Sequence, residues 1–318
     1  MHRISWTGPE DTPAVWDRFA RTGVCWLRTA GAVETARHAP SRLVEDLLGW
    51  KPLATHVSHI KVMPAIHPRI VRPYSVTSNE ACVHVDPHPY LSPHIQILVC
   101  VKQAADLGGG DSLCVDTWSL LDELSTTGNS LFARLFESQR IIRFPDFIWC
   151  APTFSMRAGN LVCMHTGTPS RTDIVGSAFQ QLVDRAAPTR FRLEDGDVLV
   201  CNNHRMLHGR TAFMDPDRHL IRLQVWLHRP LPSPDAYRLR AARVATRVEE
   251  LARRQPVWIR KRLGYSGMVS GSEAYSSDDL LAHYRGELAE EPEQETELIR
   301  AYAQTMVERR ARDYLSSQ

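Results

Sequence analysis

The sequence predicts a mainly β sandwich or barrel with helical insertions and a helical C-terminal extension, on three observations. Many short apolar runs rich in β-branched residues are separated by turn residues, which favours antiparallel sheets over a doubly wound parallel sheet. A few longer segments between them carry apolar residues at helical spacing. After Pro230-Leu231-Pro232-Ser233-Pro234 the composition becomes charge-rich and helical. The chain therefore divides into a β domain over 1–232 and a helical extension over 233–318, which packs on the barrel or makes a subunit contact. The Glu/Arg alternation of that extension reads most simply as a solvated helix face.

Taken in order, Thr12 is placed to cap a helix over 13–21, which Gly23 ends, and Val24 to Arg28 follows as a strand. A second helix spans 33–48. The strands expected next are 81–86, 95–101, 112–116, 140–144, 147–150, 161–165, 189–193, 198–201 and 220–228. Helical insertions fit 118–124, 130–137 and 175–187, the last with Phe179, Leu182 and Val183 on one apolar face. The extension holds helical segments over 236–254 and 293–314.

Composition narrows the classes. A chain of 318 residues can bury a sizeable core, and its 43% hydrophobic and 23% charged residues are those of a globular protein. A formal charge of +2 is too small to suggest nucleic-acid steering. The seven cysteines (25, 82, 100, 114, 150, 163, 201) lie mostly inside apolar runs with no Cys-x-x-Cys, as reduced core residues do. The N-terminus has no apolar leader and no stretch is long enough to span a membrane, so a cytoplasmic location is expected. There is no internal repeat, and nothing in the sequence sets the oligomeric state, homo-oligomer included.

The chemistry lies in two separated segments, Val83-His84-Val85-Asp86 and Asn203-His204-Arg205-Met206-Leu207-His208-Gly209-Arg210. In a strand, side chains at i and i+2 share a face, so His84 and Asp86 can reach one metal ion while Val85 turns away. His208 is the best third ligand, because the polar turn from Asn202 to Gly209 lies between two hydrophobic runs. Two histidines and a carboxylate on one side of a metal leave positions open, the arrangement associated with non-haem Fe(II) oxygenases. Arg222 follows His208 in a strand-like run and offers a planar fork for a carboxylate. Gly108-Gly109-Gly110-Asp111-Ser112 adds a turn whose hydroxyl could serve the same carboxylate.

At these residues the chain resembles the Fe(II)- and 2-oxoglutarate-dependent dioxygenases of the taurine dioxygenase and clavaminate synthase-like group, from about Trp16 to Pro230. The resemblance implies a double-stranded β-helix, or jelly roll, for 1–232. It implies Fe(II) on His84, Asp86 and His208, with 2-oxoglutarate chelating the metal through its keto acid and held at its distal carboxylate by Ser112 and Arg222. It implies O2 as oxidant and release of succinate and CO2 as an unactivated C–H bond is hydroxylated. The spacing from His208 to Arg222 looks like the clavaminate synthase branch, yet several amino-acid hydroxylases there carry His-x-Glu where this chain has His84-x-Asp86. Ser112 stands where many relatives have threonine. The substrate class that the resemblance favours is an amino acid or small polar biosynthetic intermediate, with a sugar acid or lipid-linked sugar as the alternative.

His88, Tyr90, Arg157, Arg171, Asn202, Arg210 and Arg218 are candidates to touch substrate, and each could instead satisfy turn or backbone groups. Arg222 has a competing role as a salt-bridge partner of Asp197 or Asp217. A zinc site from His84, His88 and His94 is disfavoured, because Pro87, Pro89 and Pro93 break any helix that would align them. A zinc hydrolase and a non-catalytic metal-binding β-barrel are the contrasting classes; the Ser112 and Arg222 clamp counts against the latter.

Overall fold

A computed structural model describes residues 2–49, 51–62, 77–87, 92–138, 140–143, 147–169, 173–253 and 269–270. Two sheets face each other. The larger has six strands in the order Ile4–Ser5, Val24–Arg28, Asp197–Asn202, Ile95–Lys102, His219–Trp226 and Ala54–Lys61. The smaller has four, Thr189–Phe191, Ser112–Asp116, Met206–Arg210 and Ala81–His84. Every pairing within them is antiparallel except the first. Non-consecutive strands lie side by side, as in a jelly roll.

The His219–Trp226 strand shows how period-two patterning builds this arrangement. Ile221, Leu223 and Val225 join the apolar cluster under the N-terminal helices, with Phe19, Leu43 and Leu47. Leu220 points the other way, into the cluster between the sheets with Cys100, Cys114, Cys201 and Met206. Arg222 and Gln224 share the phase of Leu220, so the strand carries two polar side chains into the barrel. On the far side, Val83, Val115 and Leu207 of the smaller sheet, with Val85 just past its edge, pack under the helices Thr117–Thr126, Ser130–Glu137 and Ile174–Arg185. Tyr237 and Ala241 of the Asp235–Arg253 helix belong to the same cluster, and the Tyr237 hydroxyl donates to Asp122. The start of the charge-rich segment therefore packs against the Phe154–Arg157 and Asn160–Cys163 hairpin and the Ser130–Glu137 helix.

The structure departs from the expected elements where local chemistry overrides pattern. The helix expected over 33–48 is two, Ala32–His38 and Pro40–Leu48, because Pro40 lacks an N–H and Ala39 leaves the helical region at φ −145°. Thr12 lies inside its helix (Thr12–Thr22) rather than capping it, and its hydroxyl donates to the Asp46 carbonyl. Gly23 ends that helix in the left-handed region at φ 73°, as expected. Five described strands were not foreseen: the two-residue Ile4–Ser5 and Val269–Ser270, the four-residue Phe154–Arg157, Ala54–Lys61, whose polar residues hide the alternation, and Met206–Arg210, which takes up the second half of the polar turn expected over 202–209 and so places His208 on a strand. The segment 293–314 lies outside the described residues. The six described cysteines are free.

Arg205 ties three elements together one residue before the Met206–Arg210 strand. Its Nε and NH2 take both oxygens of Asp116 at 2.9 and 2.6 Å. NH1 and NH2 also donate to the Ala20 and Arg21 carbonyls at the end of the first long helix, and the guanidinium lies 4.3 Å from the Trp118 ring centre. Arg205→Ala should cost about 3 kcal/mol, because it strands a largely buried carboxylate. Arg205→Lys should recover little of this, since an ammonium cannot reproduce the fork. Urea unfolding of the two variants checks both outcomes.

Candidate metal centre

The smaller sheet places the two histidines opposite each other. His84 and His208 are cross-strand partners, with ring centres 4.8 Å apart. The pairing slips by one residue between His208 and Arg210. Gly209 allows the close approach there, because a Cβ at this position would stand 2.5 Å from the Ala81 carbonyl oxygen. The chain leaves its strand after His84, and Val85 donates its N–H to the His165 carbonyl at 3.0 Å. That contact carries Asp86 to the same side, where the three residues offer ligand atoms within 4.8 Å of one another.

The donor set suits a divalent transition metal. His84 Nδ1 is 2.7 Å from the Cys82 carbonyl, which fixes the tautomer and leaves Nε2 for a metal. His208 is buried, and neither ring nitrogen has a hydrogen-bond partner among the described residues. Both Nε2 atoms lie 3.8 Å from Asp86 Oδ1, too far for hydrogen bonds and consistent with donors that meet through an ion. Burial, then His208, push the His84 pKa down to about 4, so the ring is neutral and able to ligate at pH 7. Burial alone would raise the Asp86 pKa, but Arg222 and the two histidines bring it below the usual carboxylate range.

Asp86 is held at both ends. Asn203, fully buried, accepts the Asp86 N–H on Oδ1 at 2.8 Å and donates from Nδ2 to the carbonyls of Asp86 and Pro93, both at 2.9 Å. At the carboxylate, Arg222 NH1 lies 3.4 and 3.2 Å from Oδ1 and Oδ2, and Gln224 Nε2 donates to Oδ2 at 3.0 Å. Arg222 Nε donates to Ser58 at 3.1 Å. Arg222 thus has an acidic partner, but not the ones the sequence suggested. Asp197 is taken by Arg3, Arg28 and Trp26, and Asp217 by Lys102.

Ser112 sits at the start of its strand opposite Arg210. Arg210 and Arg218 both lie over the Phe213 ring, with Cζ 4.6 and 5.1 Å from its centre. Arg218 donates to Gln103 Oε1 at 3.0 Å and the Gly110 carbonyl at 3.3 Å, and no carboxylate among the described residues pairs with it. Asp111, an electrostatic neighbour of Arg218, is occupied by Arg190 and Arg192. Burial lowers the pKa of Arg210 and of Arg218 to about 10, and Arg210 adds to the effect on Arg218.

The other sequence candidates fare unevenly. Asn202 serves its turn, accepting the His204 N–H on Oδ1 at 3.0 Å. Arg157 is buried on its own hairpin strand. His88, Tyr90 and Arg171 lie outside the described residues. Sequence reading missed Gln224 and His56, whose Nδ1 is 3.1 Å from Gln224 Oε1. The polar phase of the 219–226 strand was the available signal.

Residues 160–224 match the family model "Taurine catabolism dioxygenase TauD, TfdA family". Human gamma-butyrobetaine dioxygenase is 26% identical over 172 residues, 45% of this chain and 43% of that protein, and the Pongo abelii protein matches equally. The chain thus spans under half the length of these curated relatives. Among solved structures, the PvcB protein from Pseudomonas aeruginosa superposes with a TM-score of 0.50 at 17% identity, covering 68% of this chain and 79% of that one. An asparagine oxygenase solved with Fe(II), (2S,3S)-3-hydroxyasparagine and succinate gives 0.49 at 16%, covering 69% and 78%. The shared fold is the double-stranded β-helix.

Three buried histidines outside the triad predict an acid sensitivity. His94 and His204 face each other with ring centres 4.9 Å apart, and His165 lies against Phe179. Burial lowers all three, His165 and His204 to about 4. An ordinary histidine titrates near 6.5, so between pH 6.5 and 4 the unfolded chain binds protons that the folded chain refuses, and stability falls as pH falls. The loss should reach on the order of 2 kcal/mol per histidine at pH 5. Urea midpoints at pH 7 and 5 test this; equal midpoints would contradict it, and His204→Leu should flatten the slope.

Proposed function

We propose that this chain is an Fe(II)/2-oxoglutarate-dependent dioxygenase of the TauD and clavaminate synthase-like group and that it hydroxylates an unactivated C–H bond of a small polar substrate. The balance is substrate, 2-oxoglutarate and O2 to hydroxylated substrate, succinate and CO2. The observation that carries this reading is the facing of His84, Asp86 and His208 inside the barrel beside Arg222. Fe(II) held there would supply oxygen activation, and 2-oxoglutarate two of the electrons.

The chain's own residues prepare that chemistry. Asp86 stays ionised beside Arg222, and His84 stays neutral through burial, so both arrive in the protonation state a metal needs. Ser112 and Arg222 are our assignment for the distal carboxylate of 2-oxoglutarate. A second reading gives that carboxylate to Arg218 with Ser112 and Arg210. It is favoured by the contrast between Arg222, which already donates to Asp86, and Arg218, which has no acidic partner among the described residues. For the substrate, an amino acid or small biosynthetic intermediate with an anionic group suits the concentration of arginines. A sugar acid fits the same charge.

Asp86→Ala should abolish succinate formation in folded protein. Continued turnover by the pure, iron-loaded variant would remove Asp86 from the ligand set. Adding Fe(II) and then 2-oxoglutarate to anaerobic protein should give a weak visible charge-transfer band that needs both. Arg222→Ala should raise the 2-oxoglutarate concentration for half the band by roughly 10- to 100-fold, the worth of charged hydrogen bonds. If Arg218→Ala does so and Arg222→Ala does not, the second reading holds. A folded, iron-binding protein with no band would favour a zinc hydrolase or a binding barrel.

A further inference from the structure

We infer that Gln224 is a positioning residue for the metal centre: it retains Asp86 Oδ2 and so leaves Oδ1 as the single oxygen facing His84 and His208. The inference rests on reading the triad as a metal site. Arg222 does not make the selection, since its NH1 lies almost equally far from the two oxygens, 3.4 and 3.2 Å. Gln224 does, because Nε2 reaches only Oδ2, at 3.0 Å.

The amide also has a defined direction. His56 Nδ1 sits 3.1 Å from Gln224 Oε1, and a ring N–H donated there leaves Nε2 to meet the carboxylate. His56 is the cross-strand neighbour of Gln224, and Gln96 is its neighbour on the other side, so the side chain stands in a polar row of the larger sheet. The opposite amide orientation would bring a carbonyl oxygen against an anion. The Asp86 main chain is meanwhile fixed by Asn203. With its backbone pinned and one oxygen tied, the carboxylate is arranged to bind through one atom. A chelating carboxylate would occupy two metal positions, and oxygen chemistry on a two-histidine, one-carboxylate centre depends on open ones.

Gln224→Met keeps the length of the side chain and removes both hydrogen bonds. The test is a double-mutant cycle with Asp86→Ala, read as Co(II) affinity of the full-length protein. Gln224→Met should weaken Co(II) binding about tenfold in the parent background, the lower end for outer partners of metal ligands. In the Asp86→Ala background, where His84 and His208 remain, it should change affinity less than twofold. His56→Phe, which frees the amide to turn, should show the same pattern with a smaller loss and stands in if Gln224→Met does not fold. Equal losses in both backgrounds would mean that Gln224 acts through the fold and not through Asp86, and an unchanged parent affinity would mean that Oδ2 needs no holding. Either result overturns the inference. Co(II) binding by the parent that is lost in His208→Ala shows that the triad reading stands independently; a parent that binds no Co(II) removes that reading and this inference with it.

Discussion

A carboxylate 5% exposed inside a barrel is the constraint around which the rest of this centre is arranged. Left alone, Asp86 would be driven to its neutral form by desolvation. Three kinds of compensation converge on it. Arg222 supplies charge, Gln224 a hydrogen bond to the side chain, and Asn203 two to the main chain. They come from separate parts of the chain, so the carboxylate forms its site only after the two sheets have closed. This is why the smaller sheet alone, which carries both histidines, does not make the centre.

The 202–205 turn is the mechanical counterpart of that electrostatic arrangement. Asn202 and Asn203 direct their amides inward, Asn203 takes the His94 carbonyl on its own N–H, and His204 Nε2 is 2.8 Å from the Ser92 carbonyl. Arg205 then locks the turn to Asp116 and to the helix before Gly23. His208 follows three residues later on a strand whose starting point is thereby set. The position of the third ligand is inherited from a buried turn rather than from its own contacts, which suits a histidine whose two ring nitrogens have no other partner among the described residues.

The triad was legible in the sequence because its signal is local. His84-x-Asp86 and His208 were picked out by spacing, but for partly different reasons than those that place them: the strand ends at His84, with Asp86 brought round by the Val85 contact, and His208 lies on the Met206–Arg210 strand rather than in the polar turn the sequence suggested. The fold class was legible for the same reason, from many short β-like runs. Gln224 and His56 were not, because each is one polar residue in a strand and acquires meaning only from cross-strand register, which sequence does not print. The Ala54–Lys61 strand escaped for a related reason: His56, Ser58 and Lys61 break its alternation, and an edge position tolerates them. Thr12 shows the opposite error, where a residue suited to capping found a tertiary acceptor instead.

Arg210 and Arg218 bear on where the proposed co-substrate would be held. Two guanidinium groups stacked over one phenyl ring repel each other, and burial deprives them of water that would screen the repulsion. Among the described residues, Arg218 donates to the Gln103 amide oxygen and the Gly110 carbonyl and to no carboxylate. Carbonyl dipoles compensate a buried charge less fully than an anion does, so the corner gains most when a carboxylate enters. Arg222, by contrast, is already compensated by Asp86, and recruiting it for a ligand would loosen its hold on the metal carboxylate. The two positions thus divide naturally. Arg222 donates to the Asp86 carboxylate, while Arg218 meets only neutral acceptors among the described residues. That division is the physical case for treating Arg218 as a rival to Arg222.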